Sequence, residues 1–127
     1  MLRTFMRSKI HRATVTDSNL DYVGSLTLAP ELLDSASIGV NELIQVVNIN
    51  NGARFETYTI LGAAGANEVV VNGAASRLVE RGDKVIIIAY AQLDEHELDD
   101  FESFVVHVDD KNCVNNLPES RPLLTYF

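Results

Sequence analysis

Short strand patterns separated by turn residues recur along almost the whole chain. They lie at residues 2–7, 9–16, 20–28, 43–49, 53–61, 68–72, 84–92 and 103–109. Turn-forming sequences fall between several of them: NNG at 50–52, GAAGAN at 62–67 and RGD at 81–83. Many short strands with little helix are typical of a small β-barrel. We therefore expect a mainly β fold that forms a single domain over residues 1–127.

Two short helices are predicted beside these strands. PELLDSASIG at 30–39 begins with proline and ends with glycine, and DEHELDDFE at 94–102 is a weaker, acidic pattern. KVIIIAY at 84–90 is continuously apolar, which predicts a strand buried on both faces, under a helix or against another subunit. Residues 117–127 contain two prolines and end in apolar residues, so they are either a flexible tail or a strap onto a neighbour.

Charge and cysteine content exclude several classes of protein. Eighteen acidic and ten basic residues give a net charge of −8 without a Lys/Arg cluster, which argues against binding to nucleic acid or to an anionic membrane. A single cysteine, Cys113, suits the reducing cytoplasm, and its acidic surroundings predict an inert thiol. No segment is apolar for long enough to be a signal-peptide core or a membrane span. The three histidines lack metal-ligand spacing, so we expect no metal site.

Strand alternation groups some polar side chains on common faces. Lys9, His11, Ala13 and Val15 are predicted to share one face of their strand, and so are Arg54, Glu56 and Tyr58. Solvated strand faces explain both groups equally well, and the common hydrolase, phosphate-loop and dinucleotide motifs are absent from the sequence. From the residues alone, a β-barrel binding module without catalysis is the leading interpretation.

Gly24-Ser25 stands in the middle of the predicted strand 20–28. Glycine weakens a strand interior, and it commonly marks a bulge, a bend or a close approach to the backbone. We therefore expect something unusual at this peptide bond.

Four separated segments match the markers of one enzyme family in the same order. They are KIHRATVT at 9–16, YVGS at 22–25, NGARFETY at 51–58 and VNGAA at 71–75. Through these segments the sequence resembles the bacterial pyruvoyl-dependent aspartate 1-decarboxylases, from residue 1 to about residue 93. Three positions depart from the family pattern without removing a residue of known role: Asp21, Glu56 and Ser76.

The resemblance implies a fold, an assembly and a reaction. The fold would be a small six-stranded double-psi β-barrel with short helices, assembled as a homotetramer with active sites at subunit boundaries. The reaction would convert L-aspartate to β-alanine and carbon dioxide and so supply pantothenate and coenzyme A biosynthesis. Some relatives mature only with a helper protein, and the sequence leaves open whether this chain does.

The resemblance also explains Gly24-Ser25. Family members cleave themselves there, which would give fragments 1–24 and 25–127 with Ser25 converted to a covalent pyruvoyl group. The pyruvoyl ketone forms a Schiff base with the substrate amine and takes up the electrons that departing carbon dioxide leaves, so neither pyridoxal phosphate nor a metal is implied. Ser25 Oγ must attack the Gly24 carbonyl, and glycine would permit the unusual dihedral angles and close approach that this requires.

The family's functional residues carry over onto matching positions. Thr57 would donate to the oxygen of the tetrahedral intermediate in self-cleavage, and Tyr58 would reprotonate the substrate carbon. Arg54 and Lys9 would hold the carboxylate that stays on the substrate. The other residues implied are Thr57, Gly73, Ala74 and Ala75 for substrate binding, and His11, Tyr22 and Asn72 in support.

Some alternatives stay open. Thr57 and Tyr58 are adjacent and would face opposite sides of a regular strand, so either the strand is bulged or the two residues serve different steps. A binding module would keep Ser25 as an unmodified serine. A self-cleaving hydrolase would instead use the freed amine of Ser25 as its nucleophile. Fragment masses and labelling of the new N-terminus distinguish these classes.

Overall fold

The computed structural model describes residues 1–115 and the backbone of residues 119–122. Within these residues the strands are β1 Arg3–Thr14, β2 Asp17–Asn19, β3 Ser25–Leu28, β4 Leu43–Asn48, β5 Arg54–Leu61, β6 Val69–Asn72, β7 Lys84–Leu93, β8 Glu102–His107 and β9 Glu119–Pro122. The helical segments are α1 Pro30–Ala36 and two 3₁₀ helices, Gly73–Leu78 and Leu98–Asp100. The predicted helix at 94–102 is therefore only one short turn. Apart from β9, the predicted tail at 117–127 lies outside the described residues.

The strands form one sheet in the order β2-β6-β3-β5-β4-β7-β1-β8-β9. β1 and β2 are consecutive in the chain but lie far apart in this order, so the sheet must curve back on itself. Val15 and Thr16 make the connection, and the backbone N–H of Thr16 donates to the carbonyl of Val69 on β6 at 2.8 Å. The six strands from β6 to β1 therefore enclose the core, and the predicted mainly β, barrel-like fold with short helices is confirmed.

The core fills the inside of this curved sheet. Alternate residues of the strands point inward and are fully buried, among them Leu26, Leu28, Val69, Val71 and Ile87. Burying a side chain of this size contributes roughly 1.5–3 kcal/mol. α1 closes one side by burying Leu32, Leu33 and Ala36. The helix begins at the predicted proline but ends at Ala36, because Ser37 takes a left-handed conformation with φ of 54° before Gly39 is reached.

β1 carries a bulge that changes which residues share a face. The register with β7 shifts between Ile10 and Ala13, where Arg12 has a φ of 66°. Because the bulge adds one residue, Ala13 is buried on the same side as Ile10, while Lys9 and His11 are only half-buried. The prediction that Ala13 and Val15 share a face with Lys9 and His11 is therefore wrong.

The predicted strand 20–28 is broken at its middle. β2 ends at Asn19 and β3 begins at Ser25, with a turn between them. The Asn19 side chain starts this turn by accepting a hydrogen bond from the backbone N–H of Asp21 at 3.2 Å. Gly24 is thus the last residue of the turn, and the strand that follows begins with Ser25.

The outer face of β7 is apolar but only partly covered. Val85, Ile87 and Ala89 are buried in the core, whereas Ile86 and Ile88 are half-buried and Tyr90 is exposed. The two-faced burial predicted for 84–90 is therefore incomplete within one chain. None of the described helices is long and apolar enough to cross a membrane.

Candidate active site

The Gly24–Ser25 bond lies where the turn enters β3. Ser25 is 3% exposed and pairs with Asn72 on the antiparallel strand β6. The hydroxyl of Ser25 donates to the carbonyl of Val23 at 3.0 Å and accepts a hydrogen bond from Asn72 Nδ2 at 3.0 Å. The nucleophile proposed by the resemblance is therefore buried and held by a defined pair of hydrogen bonds.

The Asn72 side chain donates a second hydrogen bond. Its Nδ2 also donates to the hydroxyl of Thr27 at 3.0 Å, so the two N–H bonds of the amide go to Ser25 and Thr27. Because Asn72 is 3% exposed, these bonds fix the carboxamide beside the Ser25 hydroxyl. The sequence analysis missed Thr27, although strand alternation alone places it on the same face as Ser25.

Gly73 packs directly against Gly24. It opens the first 3₁₀ helix with a φ of 74°, and a Cβ atom on it would lie 2.6 Å from Gly24 Cα and 2.9 Å from Gly24 N. Gly24 does not have a left-handed φ, and a Cβ on Gly24 would meet nothing within 4 Å. The expected close approach is therefore present, and the left-handed φ that only glycine adopts easily is found at Gly73 rather than at Gly24. The conformational requirement for glycine lies at Gly73.

Thr57 and Tyr58 lie on β5, the strand that pairs with β3. The two strands are parallel with Leu26 opposite Thr59, so extending the register by one residue places Tyr58 level with Ser25, whereas Gly24 lies in the turn before β3. The Thr57 side chain is buried, and its hydroxyl has no hydrogen-bond partner among the described residues. Tyr58 is 55% exposed on the opposite face. Among the described residues the Thr57 hydroxyl is therefore available as a donor.

β5 is regular at this point. Its register with β4 runs from Leu43 opposite Tyr58 to Val47 opposite Arg54 without a shift. A bulge therefore does not explain the adjacency of Thr57 and Tyr58. The two side chains lie on opposite faces of β5, which favours different steps for the two residues.

Arg54 lies on the outer face, four positions before Tyr58. Its Nη2 donates to Gln45 Oε1 at 3.2 Å, and the same oxygen accepts a hydrogen bond from the Tyr90 hydroxyl at 2.6 Å. A rise of about 3.3 Å per residue separates Arg54 from Tyr58 by roughly 13 Å along β5. The guanidinium is therefore oriented by Gln45, which the sequence analysis did not identify.

A cavity of about 550 Å³ opens on the outer face beside Gln45. Its walls come from four strands and the loop before β4: Thr4, Glu42, Leu43, Ile44, Gln45, Glu56, Tyr90, Ala91 and Gln92. None of these residues belongs to the predicted site. The arrangement of groups around Ser25 is a better guide to the chemistry than the size of this cavity.

Lys9 and His11 lie on a strand that does not pair with β3. They are on β1, whose partners are β7 and β8. The hydrogen bonds of the Ser25 hydroxyl go to Val23 and Asn72, and neither Lys9 nor His11 takes part in them. Within one chain the described contacts therefore join Ser25 to Asn72, without Lys9 or His11.

The remaining predicted residues follow Gly73 on its helix or precede Gly24 in the turn. The first 3₁₀ helix has Gly73 buried, Ala74 exposed and Ala75 half-buried. The Tyr22 side chain is 53% exposed, whereas its backbone carbonyl would lie 3.3 Å from a Cβ on Gly73. Gly73 is thus the residue of this group that lies against both Gly24 and the turn.

Comparison with known proteins identifies relatives over almost the whole chain. The family model for aspartate decarboxylase matches residues 1–115. The aspartate 1-decarboxylase of Carboxydothermus hydrogenoformans is 56% identical over 121 residues, covering 95% of each chain. That of Sulfurimonas denitrificans is 52% identical over 113 residues, covering 89% of this chain and 93% of the relative. That of Neisseria meningitidis is 52% identical over 122 residues, covering 96% of each.

A barrel-like β fold with these relatives defines an enzyme of the carboxy-lyase class. The binding-module and hydrolase interpretations are thereby set aside. The chain belongs to the aspartate decarboxylase family.

Proposed function

We propose that the chain cleaves itself between Gly24 and Ser25 and then decarboxylates L-aspartate to β-alanine with a pyruvoyl group derived from Ser25. The observation that carries this proposal is the buried Ser25 hydroxyl, fixed by Asn72 at 3.0 Å next to the Gly24–Gly73 contact. The names of the relatives support aspartate as the substrate. β-Alanine made in this way serves pantothenate and coenzyme A biosynthesis, which is the role of the family, and we place the reaction in the cytoplasm.

Self-cleavage begins with an attack of Ser25 Oγ on the carbonyl carbon of Gly24. The C–N bond breaks and an ester forms, while the hydroxyl proton passes to the released amine. Thr57 would donate to the oxygen of the tetrahedral intermediate, and a donor of this kind is worth about 2.7–4 kcal/mol. Two observations support this role: the Thr57 hydroxyl has no partner among the described residues, and Thr57 lies on β5, the strand parallel to β3.

Maturation is completed by loss of the Ser25 α-proton. The ester then leaves as the carboxylate of Gly24, one water molecule is consumed, and ammonia is released as residue 25 becomes a pyruvoyl group. The surroundings fit a small group of this kind, because Ser25 supplies all of its carbon atoms and Gly73 has no side chain beside it. When present, the group supplies the electron sink that decarboxylation needs.

Different residues would bind the substrate carboxylate and transfer the proton. The carboxylate that stays would be held by Arg54, whose guanidinium is oriented by Gln45 at 3.2 Å, and by Lys9. Tyr58 would return a proton to the substrate carbon, and its position level with Ser25 supports this role. Tight binding of the leaving carboxylate would instead stabilise the ground state and slow its loss.

A second copy of the chain would bring Lys9 and His11 to Ser25. This proposal is supported by the strand pairing, because β1, which carries Lys9 and His11, pairs with β7 and β8 and not with β3. It is also supported by the apolar outer face of β4 and β7, where Leu43 is 51% and Tyr90 is 38% exposed. We propose a homotetramer with sites at subunit boundaries. Cleavage of the purified chain with and without added cell extract tests whether maturation needs a helper protein.

The mass spectrum of the purified chain tests the proposed function. We expect fragments 1–24 and 25–127, the larger one lighter by one ammonia molecule than the same fragment with an N-terminal serine. That fragment should resist amine reagents and react with hydrazines or borohydride because it begins with a ketone. A single uncut chain after prolonged warming, with or without added cell extract, would contradict the proposal, and so would a free serine amine.

Replacing Tyr58 with Phe is expected to separate maturation from turnover. Tyr58→Phe keeps the ring but removes the acid, so β-alanine release should fall by about 10²–10⁴-fold. Cleavage should remain complete, because the self-cleavage step uses Ser25 and Thr57. Fragment masses and β-alanine formation measured on the same sample provide the internal control. Full turnover in the cleaved variant would remove Tyr58 from this role.

A further inference from the structure

His11 and His107 face each other on neighbouring strands. β1 and β8 are parallel, and their pairing ends with His11 opposite His107. The ring centroids are 5.6 Å apart and the ring planes meet at 73°, which is an edge-to-face contact. His107 lies in the C-terminal third of the chain, beyond the segments that carry the resemblance.

The two nitrogens of His11 have different surroundings. Nδ1 is enclosed and has no hydrogen-bond partner among the described residues, whereas Nε2 is not enclosed. A protonated ring carries an N–H on both nitrogens, so protonation would enclose an N–H group that has no acceptor. The geometry therefore disfavours the imidazolium form of His11.

The charges around His11 act in the same direction. Lys9 and Arg12 flank it on β1 and His107 faces it from β8, while the β7 residues opposite this part of β1, Ile87 and Val85, are apolar. Burial lowers the pKa of His11 below its ordinary value, and Lys9, His107 and Arg12 lower it further in that order. All four of these causes act in the direction of an uncharged ring.

We propose that His107 is a positioning residue for His11, and that its edge-to-face contact fixes the His11 ring with Nε2 as the nitrogen offered to the substrate. The proposal rests on the proposed function, which assigns His11 to the site. An uncharged His11 beside the Lys9 ammonium can hydrogen-bond a carboxylate without adding a second cation. Removal of His107 would leave the ring free to turn and easier to protonate.

Two variants distinguish the ring contact between His11 and His107 from the charge of His107. His107→Val removes both the aromatic ring and the titratable group. His107→Phe keeps an aromatic ring and removes only the titratable group. ¹⁵N-resolved NMR titration of the three histidines reports the pKa and the tautomer of His11. In His107→Val we expect the pKa of His11 to rise and the distinction between its two nitrogens to weaken. In His107→Phe we expect the tautomer to be retained and the pKa to rise less. His96→Val, at an exposed site, is the control.

The pH profile of decarboxylation supplies the second measurement. If only the uncharged His11 supports binding, activity falls as the pH drops through the pKa of His11. The acidic limb of the pH–activity profile should therefore move to higher pH in His107→Val. The shift should equal the rise in the His11 pKa measured by NMR. An unchanged tautomer and titration in a folded His107→Val or His107→Phe overturns the positioning role. A changed titration with an unmoved acidic limb overturns its link to the reaction.

The NMR titration distinguishes this proposal from the proposed function. It needs neither cleavage nor turnover, so it can be carried out on the uncut Ser25→Ala chain. If the chain neither cleaved itself nor decarboxylated aspartate, the NMR result for His11 would still be valid. If the His11–His107 contact proved to have no role, the proposed cleavage chemistry would be unaffected.

Discussion

Ser25→Ala is expected to remain a single chain of residues 1–127 and to release no β-alanine. The substitution removes the hydroxyl that attacks the Gly24 carbonyl, and with it the only source of the pyruvoyl group. The fold should persist, because Ser25 contributes one hydroxyl to the bonds of Asn72, and Thr27 still accepts the other. Intact mass after prolonged warming and an assay for β-alanine measure the two outcomes.

Ser35→Ala is the matched control. Its hydroxyl also donates to a backbone carbonyl, that of Glu31 at 2.7 Å, but it lies on the exposed side of α1. This variant should mature and turn over like the unmodified sequence. Decarboxylation by an uncut Ser25→Ala chain would show that the catalytic carbonyl does not come from Ser25.

Gly73→Ala is expected to block maturation and to destabilise the fold more than an ordinary glycine replacement. A left-handed φ of 74° disfavours alanine, and the strain is about 1–2 kcal/mol. The new methyl group would also lie 2.6 Å from Gly24 Cα, so backbone must move at the scissile bond. Cleavage followed over time by mass spectrometry reports the first effect.

Gly52→Ala is the control that introduces the backbone strain of a left-handed φ without a close contact. Its φ of 78° is nearly the same, but a Cβ there meets nothing within 4 Å. Denaturant unfolding of both replacements in the Ser25→Ala background compares uncut chains. We expect Gly52→Ala to lose about 1–2 kcal/mol and still to cleave when Ser25 is present, and Gly73→Ala to lose more. Equal losses together with normal cleavage in Gly73→Ala would show that the Gly73–Gly24 contact has no role.

Strand alternation predicts side-chain faces correctly only where a strand is regular. On β5 the alternation of Arg54, Thr57 and Tyr58 is confirmed, because that strand pairs without a bulge. On β1 the same reasoning failed beyond His11. The bulge there uses a positive φ at Arg12, a residue type that gives no turn signal in the sequence.

Sequence patterns do not predict which distant parts of the chain come into contact. Gly24 attracted attention because it interrupts a strand pattern, yet the steric requirement for glycine lies at Gly73, on a different element. His107 faces His11 only because β8 pairs with β1, a pairing that alternation cannot reveal. The segments that carry the resemblance did locate Asn72 and Ser25, and the hydrogen bond between them is visible only in the fold.

The positions of β1 and β2 in the sheet have a consequence for how the protein can refold. Residues 1–24 contribute a strand held between β7 and β8 and another paired with β6. After the proposed cut, these strands would stay in place without a covalent link, so each mature protomer would consist of two separate chains. Reassembly after denaturation would then be a second-order encounter, whereas the precursor needs only to close a loop. We therefore expect the precursor to refold more readily than the cut protein, and cutting to follow folding.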